Sequence, residues 1–427
     1  MAEVTQSTER KSALAAYIAV TAAYWSFMLT DGALRMLVLL HFHTLGFSPI
    51  QLAYLFLLYE FMGVVTNLSA GWIAARFGLT TTLYGGLAFQ IAALAALSQL
   101  DASWGELFSV IFVMAVQGIS GVAKDLSKMS AKSAVKVLAP SDDNSALFRW
   151  VAILTGSKNA VKGFGFLLGA GLLAVAGFQA SVISMAVVLA LILTAVATFM
   201  PPGLPQGKKK VKFTQVLSKD RNINRLSMAR LFLFGARDVW FVVGIPIYFY
   251  SVLSDGSPEG NRAAFFLIGV FMAGWIIFYG VIQASAPKLL KDKNKSVSDT
   301  VGLARFWVGL LTLIPAVLAL AAFAADGSST LWLTVALVAG LLVFGLVFAL
   351  NSALHSYLIL AFSQTERVTM DVGFYYMSNA AGRLLGTLLS GLSYQAGGLP
   401  LCLATAAAMA CASWVSAKWL EQQPQAS

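Results

Sequence analysis

Long apolar runs separated by short polar connections dominate the chain. A helix crosses a bilayer with about 20 consecutive apolar residues. Windows of that length predict twelve membrane-spanning helices in this sequence. Their approximate bounds are 13–41, 50–75, 80–99, 104–123, 148–176, 180–200, 224–253, 262–286, 301–324, 329–360, 369–392 and 399–419. The pattern therefore predicts an all-α membrane protein.

The longest polar connection divides these helices into two groups of six. We predict an N-terminal six-helix bundle over 1–200, a cytoplasmic central linker over 201–223 and a C-terminal six-helix bundle over 224–427. A weak internal repeat supports the division. Segment 31–40 aligns with 234–243, and 157–163 resembles 377–383 with a one-residue gap. Two pseudo-symmetric bundles of six helices are typical of transporters that work by alternating access.

Composition and charge narrow the class of protein. The chain is 58% hydrophobic and 11% charged, whereas soluble proteins carry about 25% charged residues. Lysine and arginine collect in the connections on one side, so the positive-inside rule predicts that both termini are cytoplasmic. The net charge of +10 is explained in this way without a nucleic-acid partner. Cys402 and Cys411 lie in the last predicted helix, which excludes a disulfide framework and disfavours a thiolate metal site.

Two lysines stand out because they lie inside an apolar segment. Lys158 and Lys162 are one helical turn apart in the predicted helix 148–176, and so share one face. A lysine at the centre of a bilayer costs about 3 kcal/mol on insertion scales. Both side chains must therefore face protein or water, and we predict that they bind the transported solute.

The other polar groups at membrane depth are mainly cationic, which favours an anionic solute. The predicted substrate-binding residues are Lys158, Lys162, Asn159, Arg35, Arg237, Arg383, Lys124 and Lys128. The predicted proton-coupling or gating residues are Asp31, Glu60 and Asp238. The sequence contains no catalytic constellation, nucleotide-binding loop or zinc-ligand spacing. We therefore expect neither an enzyme nor a protein with a cofactor or metal.

Several of these residues also have a purely structural interpretation. Asp31 and Arg35 are four residues apart and are expected to neutralise each other, unless Arg35 pairs with Asp238 across the two halves. Glu60 is either a proton site or a hydrogen-bonded structural carboxyl. The lysines at 124, 128, 132 and 136 form either a solvated helix end or an anion-collecting vestibule. The glycines at 163, 165, 169 and 171 predict close helix packing.

Two resemblances to known families extend this interpretation. Segment 71–78 resembles the cytoplasmic loop motif of the major facilitator superfamily, although Ala75 replaces the usual aspartate and Thr80 the final basic residue. Longer segments resemble the ArsJ family of organoarsenical efflux permeases. They are 23–43, 59–67, 121–132, 155–159 and 230–240.

The ArsJ resemblance implies a multi-pass permease of the bacterial inner membrane that exports 1-arseno-3-phosphoglycerate and confers arsenate resistance. It implies a functional partnership with glyceraldehyde-3-phosphate dehydrogenase, which makes that compound from arsenate. A multiply charged anion of this kind requires Arg and Lys as ligands, and the chain has no convergent cysteines for arsenite. The alternative is a proton-coupled major-facilitator exporter of another organic anion or drug. We expect facilitated efflux, with proton exchange through Asp31, Glu60 or Asp238 as the alternative, and a monomer in the bilayer.

Overall fold

The computed structural model describes residues 2–101, 103–138, 144–200, 218, 220–290, 297–325, 330–363 and 368–420. Its regular elements there are all helical, which confirms the all-α prediction. Residues 201–217 and 219 of the predicted linker lie outside this part of the chain, as do the side chains of Lys132 and Lys136. The helices are α1 (Ala2–Thr44), α2 (Pro49–Phe77), α3 (Leu79–Leu97), α4 (Glu106–Leu138), α5 (Asn144–Phe199), α6 (Arg221–Val239), α7 (Ile245–Leu253), α8 (Pro258–Leu289), α9 (Val297–Ala324), α10 (Leu331–Phe362) and α11 (Val368–Lys418).

Nine helices in the described ranges are long and apolar enough to cross a membrane. Two of them, α5 and α11, each cover two of the predicted spans and contain a break in the helix. Gly177 has φ 75° inside α5, and Gly398 has φ 60° inside α11. Only glycine adopts such angles readily, and both breaks fall in the short gaps between predicted spans. The total of twelve spans stays a prediction.

A π-helical turn, Trp240–Gly244, joins α6 to α7, and all five of its residues are buried. Pro246 explains the widening, because proline has no N–H and its ring clashes with the carbonyl group four residues earlier. The hydroxyl of Ser390 on α11 accepts hydrogen bonds from the N–H groups of Val243 at 3.2 Å and Gly244 at 3.3 Å. The turn begins two residues after Asp238, so it lies close to two predicted functional residues, Arg237 and Asp238.

Glycines bring helix backbones into contact in both halves of the chain. In the first half, a Cβ atom on Gly165 of α5 would lie 2.5 Å from the carbonyl oxygen of Leu29 on α1. In the second half, a Cβ atom on Gly386 of α11 would lie 2.7 Å from the carbonyl oxygen of Gly235 on α6. Small residues permit this approach in membrane helices. As a result, the face of α5 that carries charged residues packs against α1. The face of α11 that carries charged residues packs against α6.

Two further helix pairs join the first half to the second. A Cβ atom on Gly163 of α5 would lie 2.9 Å from the carbonyl oxygen of Ala273 on α8. A Cβ atom on Gly391 of α11 would lie 2.6 Å from the carbonyl oxygen of Pro49 on α2. The pairs α5–α8 and α2–α11 therefore form the boundary across which charged groups of the two halves meet.

Gly382 offers a direct test of this packing. In Gly382→Ala the added methyl group would overlap the carbonyl oxygen of Leu231, a backbone atom that cannot rotate away. Overpacking of this kind costs about 1–3 kcal/mol, so we expect a clearly lower thermal midpoint for the detergent-purified protein. Gly373→Ala is the matched control on the same helix, since nothing lies within 4 Å of its added Cβ atom. Equal midpoints for the two variants would show that the α6–α11 contact is looser than described.

Candidate functional site

Charged side chains of α1, α2 and α11 meet at Glu60, which is fully buried on α2. Its Oε1 atom accepts a hydrogen bond from Arg35 Nη2 of α1 at 2.5 Å. The same oxygen accepts a second bond from Arg383 Nη2 of α11 at 2.6 Å. One carboxylate oxygen thus links a guanidinium group of the first half to a guanidinium group of the second.

The network continues through Arg383 into the second half. Arg383 Nε donates to Asp238 Oδ2 at 3.2 Å, and Arg237 Nη2 lies 2.5 Å from Asp238 Oδ1. The guanidinium group of Arg237 also lies 4.8 Å from the ring centroid of Phe234. Asp238 therefore orients two arginines, one on its own helix and one on α11.

A second carboxylate, Asp31 of α1, organises the cations of the first half. Lys162 Nζ of α5 lies 3.4 Å from Asp31 Oδ2, and the Tyr59 hydroxyl donates to Asp31 Oδ1. Lys124 Nζ of α4 lies over the same tyrosine, 4.0 Å from the ring centroid. The tyrosine, next to Glu60 in the chain, joins the lysine part of the network to the arginine part.

These contacts correct two predicted pairings. Arg35 was expected to neutralise Asp31 or to pair with Asp238 across the halves, but its carboxylate partner is Glu60. The pair that crosses between the halves is instead Glu60 with Arg383. The reason is the position of α2, which places its carboxylate between α1 and α11.

The cations of the network are somewhat more exposed than its carboxylates. The side chains of Arg35, Arg237, Lys162 and Arg383 are 10%, 11%, 15% and 16% exposed. Those of Asp31, Glu60 and Asp238 are only 1–2% exposed. With Lys124, the described network has two more cations than carboxylates. The accessible part of the network therefore consists of ammonium and guanidinium groups, and the carboxylates are more deeply buried.

The remaining predicted ligands lie around this network. Lys128 Nζ is 2.5 Å from Asp125 Oδ1 and 2.6 Å from Asn67 Oδ1, so it belongs to a separate cluster between α2 and α4. Asn159 packs against α8, where its Cβ atom lies 3.0 Å from the position of a Cβ atom on Gly280. Lys158 is partly buried one turn before Lys162. Solute binding by these residues stays a prediction.

Two buried residues near the network were not among the predicted site residues. Arg230 of α6 donates through Nη1 to the carbonyl oxygen of Ser352 at 3.1 Å and to its hydroxyl at 3.0 Å. His355 of α10 is fully buried. The sequence could have indicated Arg230, because it precedes Arg237 by two helical turns and therefore lies on the same face of the helix.

The described ranges give less support for other kinds of site, such as a metal site or a separate cavity. They contain no group of three or more His, Cys, Asp or Glu residues placed to hold a metal ion. A cavity of about 790 Å³ lies where α1 ends, lined among others by His41, Asp101, Trp104 and Phe178. None of the network residues lines it. The charged network is thus the best candidate for a solute site.

Comparison with known proteins identifies the family. The family model described as Major Facilitator Superfamily matches residues 12–359. This chain belongs to the major facilitator superfamily. No curated protein sequence matches it. The prediction of a membrane transporter with several spans is therefore confirmed. The members of this superfamily are transporters and not enzymes.

Solved structures of other transporters resemble this major facilitator in fold. A crystal structure of the nucleoside transporter NupG matches with a TM-score of 0.70 and 15% identity, over 96% of this chain and 100% of that one. A POT family transporter in complex with a thioalcohol-conjugated peptide matches with a TM-score of 0.66 and 15% identity, over 93% and 94%. At this identity the similarity shows the fold alone.

Proposed function

We propose that this transporter exports an anionic phosphorylated organoarsenical, 1-arseno-3-phosphoglycerate, by alternating access and so confers arsenate resistance. The observation that supports an anionic solute is the excess of cations in the network, whose side chains are 10–16% exposed where the carboxylates are 1–2% exposed. The organoarsenical part rests on the resemblance of segments 23–43, 121–132 and 230–240 to the ArsJ permeases.

The chemistry of the network supports a phosphate or arsenate ester. Guanidinium groups bind such oxyanions with two parallel hydrogen bonds, which makes arginine a specific ligand for them. Arg35 and Arg383 already converge on one carboxylate oxygen. Trivalent arsenic requires soft thiolate ligands instead. Cys402 is buried, and its thiol donates to the carbonyl oxygen of Val239, so it does not belong to this site.

We also propose that the efflux is facilitated and needs no proton gradient. A negative charge that leaves a cell with an inside-negative potential gains about 2.3 kcal/mol per 100 mV. The buried carboxylates Asp31, Glu60 and Asp238 favour a second candidate, a proton-coupled exporter of another organic anion or drug. A drug exporter would be expected to present an apolar, aromatic interior rather than arginine and lysine. Uptake into everted vesicles that stops when only the pH gradient is collapsed would support proton coupling.

The remaining parts of the proposal concern location and partners. We infer a bacterial inner-membrane location with both termini cytoplasmic, from the distribution of lysine and arginine among the connections. The proposed functional partner is glyceraldehyde-3-phosphate dehydrogenase, which would supply the substrate. The transporter is expected to act as a monomer.

Arsenate tolerance provides the test of the substrate. In an arsenate-sensitive bacterium, expression of the transporter together with the dehydrogenase should raise the tolerated arsenate concentration, whereas either protein alone should have little effect. The dependence follows because the dehydrogenase makes the exported compound. Arsenite tolerance, measured in parallel, should not change. Protection without the dehydrogenase would contradict the proposed substrate.

A further inference from the structure

Glu60 binds the two guanidinium groups in an uneven way. Its Oε1 atom accepts from both Arg35 and Arg383, whereas Oε2 has no hydrogen-bond partner among the described residues. A carboxylate that served only to neutralise two arginines would be expected to use both oxygens, since buried polar atoms are normally paired. The single shared oxygen marks a position at which two arginines from opposite halves coordinate one oxyanion.

We propose that Glu60 is the resident counter-anion of the empty transporter. Its oxygen occupies the position between Arg35 and Arg383 that an oxyanion of the solute takes during transport. The inference rests on the proposed function in one respect, the anionic solute, and it assigns the Arg35–Arg383 pair as the binding position. It also assigns Glu60 a role in the transport cycle.

The surroundings of the two arginines allow such an exchange of anions. Their side chains are 10% exposed for Arg35 and 16% for Arg383, whereas that of Glu60 is 1% exposed, so the two guanidinium groups are the more accessible members of this contact. Arg383 keeps its bond through Nε to Asp238 when Nη2 changes partner. Arg35 also contacts the rings of Phe56 and Tyr59, 5.2 and 5.4 Å from their centroids. Neither guanidinium group has to move far.

The displaced carboxylate also retains favourable electrostatics. Lys124 and Lys162 are the other cations that interact with Glu60. They belong to the first half, as Glu60 does, so they stay with it when the halves move apart. Glu60 therefore has compensating charges both when the solute is bound and when it is absent.

This arrangement determines how the empty protein returns to the loading side. Without any anion, closing the interface would bring two desolvated guanidinium groups together, and leaving a buried charge unpaired costs several kcal/mol. Glu60 supplies the missing negative charge after the solute has left. The wild-type protein is therefore expected to perform net efflux, whereas a protein without this carboxylate would need a second anion for its return. Loss of Glu60 should convert net efflux into anion exchange.

Binding of inorganic phosphate to the detergent-purified, full-length protein tests the competition. Glu60→Gln should bind phosphate about tenfold more tightly than wild type, a change of about 1.4 kcal/mol. Glu60→Asp keeps the charge but shortens the side chain, so it should bind more tightly by a smaller factor. Glu106→Gln, an exposed carboxylate that bonds Gln51, should match wild type. Equal or weaker phosphate binding by Glu60→Gln, compared with wild type, would overturn the proposal. If Glu60→Gln does not fold, equal or weaker binding by Glu60→Asp would overturn it.

Proteoliposomes loaded with labelled 3-phosphoglycerate test the mode of transport. Wild type and Glu106→Gln should release the label into buffer that contains no permeant anion. Glu60→Gln should release it only when the buffer contains the unlabelled compound. Net release by Glu60→Gln at the wild-type rate would overturn the inference. If wild type releases nothing in either buffer, 3-phosphoglycerate is not carried, and the phosphate titration decides the role of Glu60 while arsenate tolerance decides the proposed function.

Discussion

Arsenate tolerance is expected to fall to that of cells without the transporter when Lys158 and Lys162 are both replaced by alanine. Lys162 is a partly buried cation of the network, with Nζ 3.4 Å from Asp31 Oδ2. Its removal takes away the cation paired with Asp31 and leaves this carboxylate with the Tyr59 hydroxyl and the charges of Lys124 and Arg35, so the site becomes less favourable for an anion. The assay is growth on arsenate with the dehydrogenase co-expressed.

The amount of protein in the membrane must be measured beside tolerance. The double variant should insert normally, because removing two lysines from an apolar segment makes insertion easier. Lys288→Ala is the matched control, since this lysine is exposed near the end of α8. Full tolerance in the double variant, at a normal protein level, would place the anion site elsewhere.

The second large effect is expected for Arg383→Gln. Arg383 bonds two almost fully buried carboxylates, Glu60 at 2.6 Å and Asp238 at 3.2 Å. Removing one partner of a buried ion pair costs about 3–5 kcal/mol. Here Arg35 still pairs with Glu60 and Arg237 still pairs with Asp238, so we expect a loss at the lower end of that range. We expect a large fall in thermal midpoint for the detergent-purified protein, together with loss of export.

A double-mutant cycle separates the lost pairing from simple misfolding. Adding Glu60→Gln to Arg383→Gln removes both members of the pair, so the double variant should lose less stability than the sum of the two single losses. Export should remain absent in the double variant. Arg262→Gln, at an exposed arginine near the start of α8, serves as the control for loss of an arginine as such. Additive losses of stability would mean that Glu60 and Arg383 do not interact.

The fold was largely predictable because the bilayer imposes a simple pattern. Apolar runs of spanning length locate the helices, and the breaks at Gly177 and Gly398 fall in gaps that the hydropathy pattern already indicated. The π-helical turn was not predicted, although Pro246 was its signal. A proline within an apolar run indicates a disturbed helix, but it does not say whether the helix kinks, ends or widens.

The residues of the site were easier to predict than their partners. Charges at membrane depth are costly, so their presence alone drew attention to Arg35, Glu60, Lys162 and Arg383. Helical spacing suggested Asp31 as the partner of Arg35, yet Glu60 holds that position. Apolar side chains cover both the lipid-facing and the interior faces of these helices. The sequence pattern therefore does not define how each helix is rotated, and the rotation decides which charges meet.

The π-helical turn has a consequence for the comparison of the two halves. A turn with i to i+5 bonding holds one more residue than an α-helical turn, and each residue advances a helix by about 100°. An ungapped match of 31–40 with 234–243 stops within Trp240–Gly244. If the ungapped match is continued beyond Gly244, the two residues of each pair lie on different faces of their helices. An alignment of the two halves as copies of one ancestral unit therefore needs an insertion at that point. Without the insertion, residues of α7 are matched to the wrong face of α1.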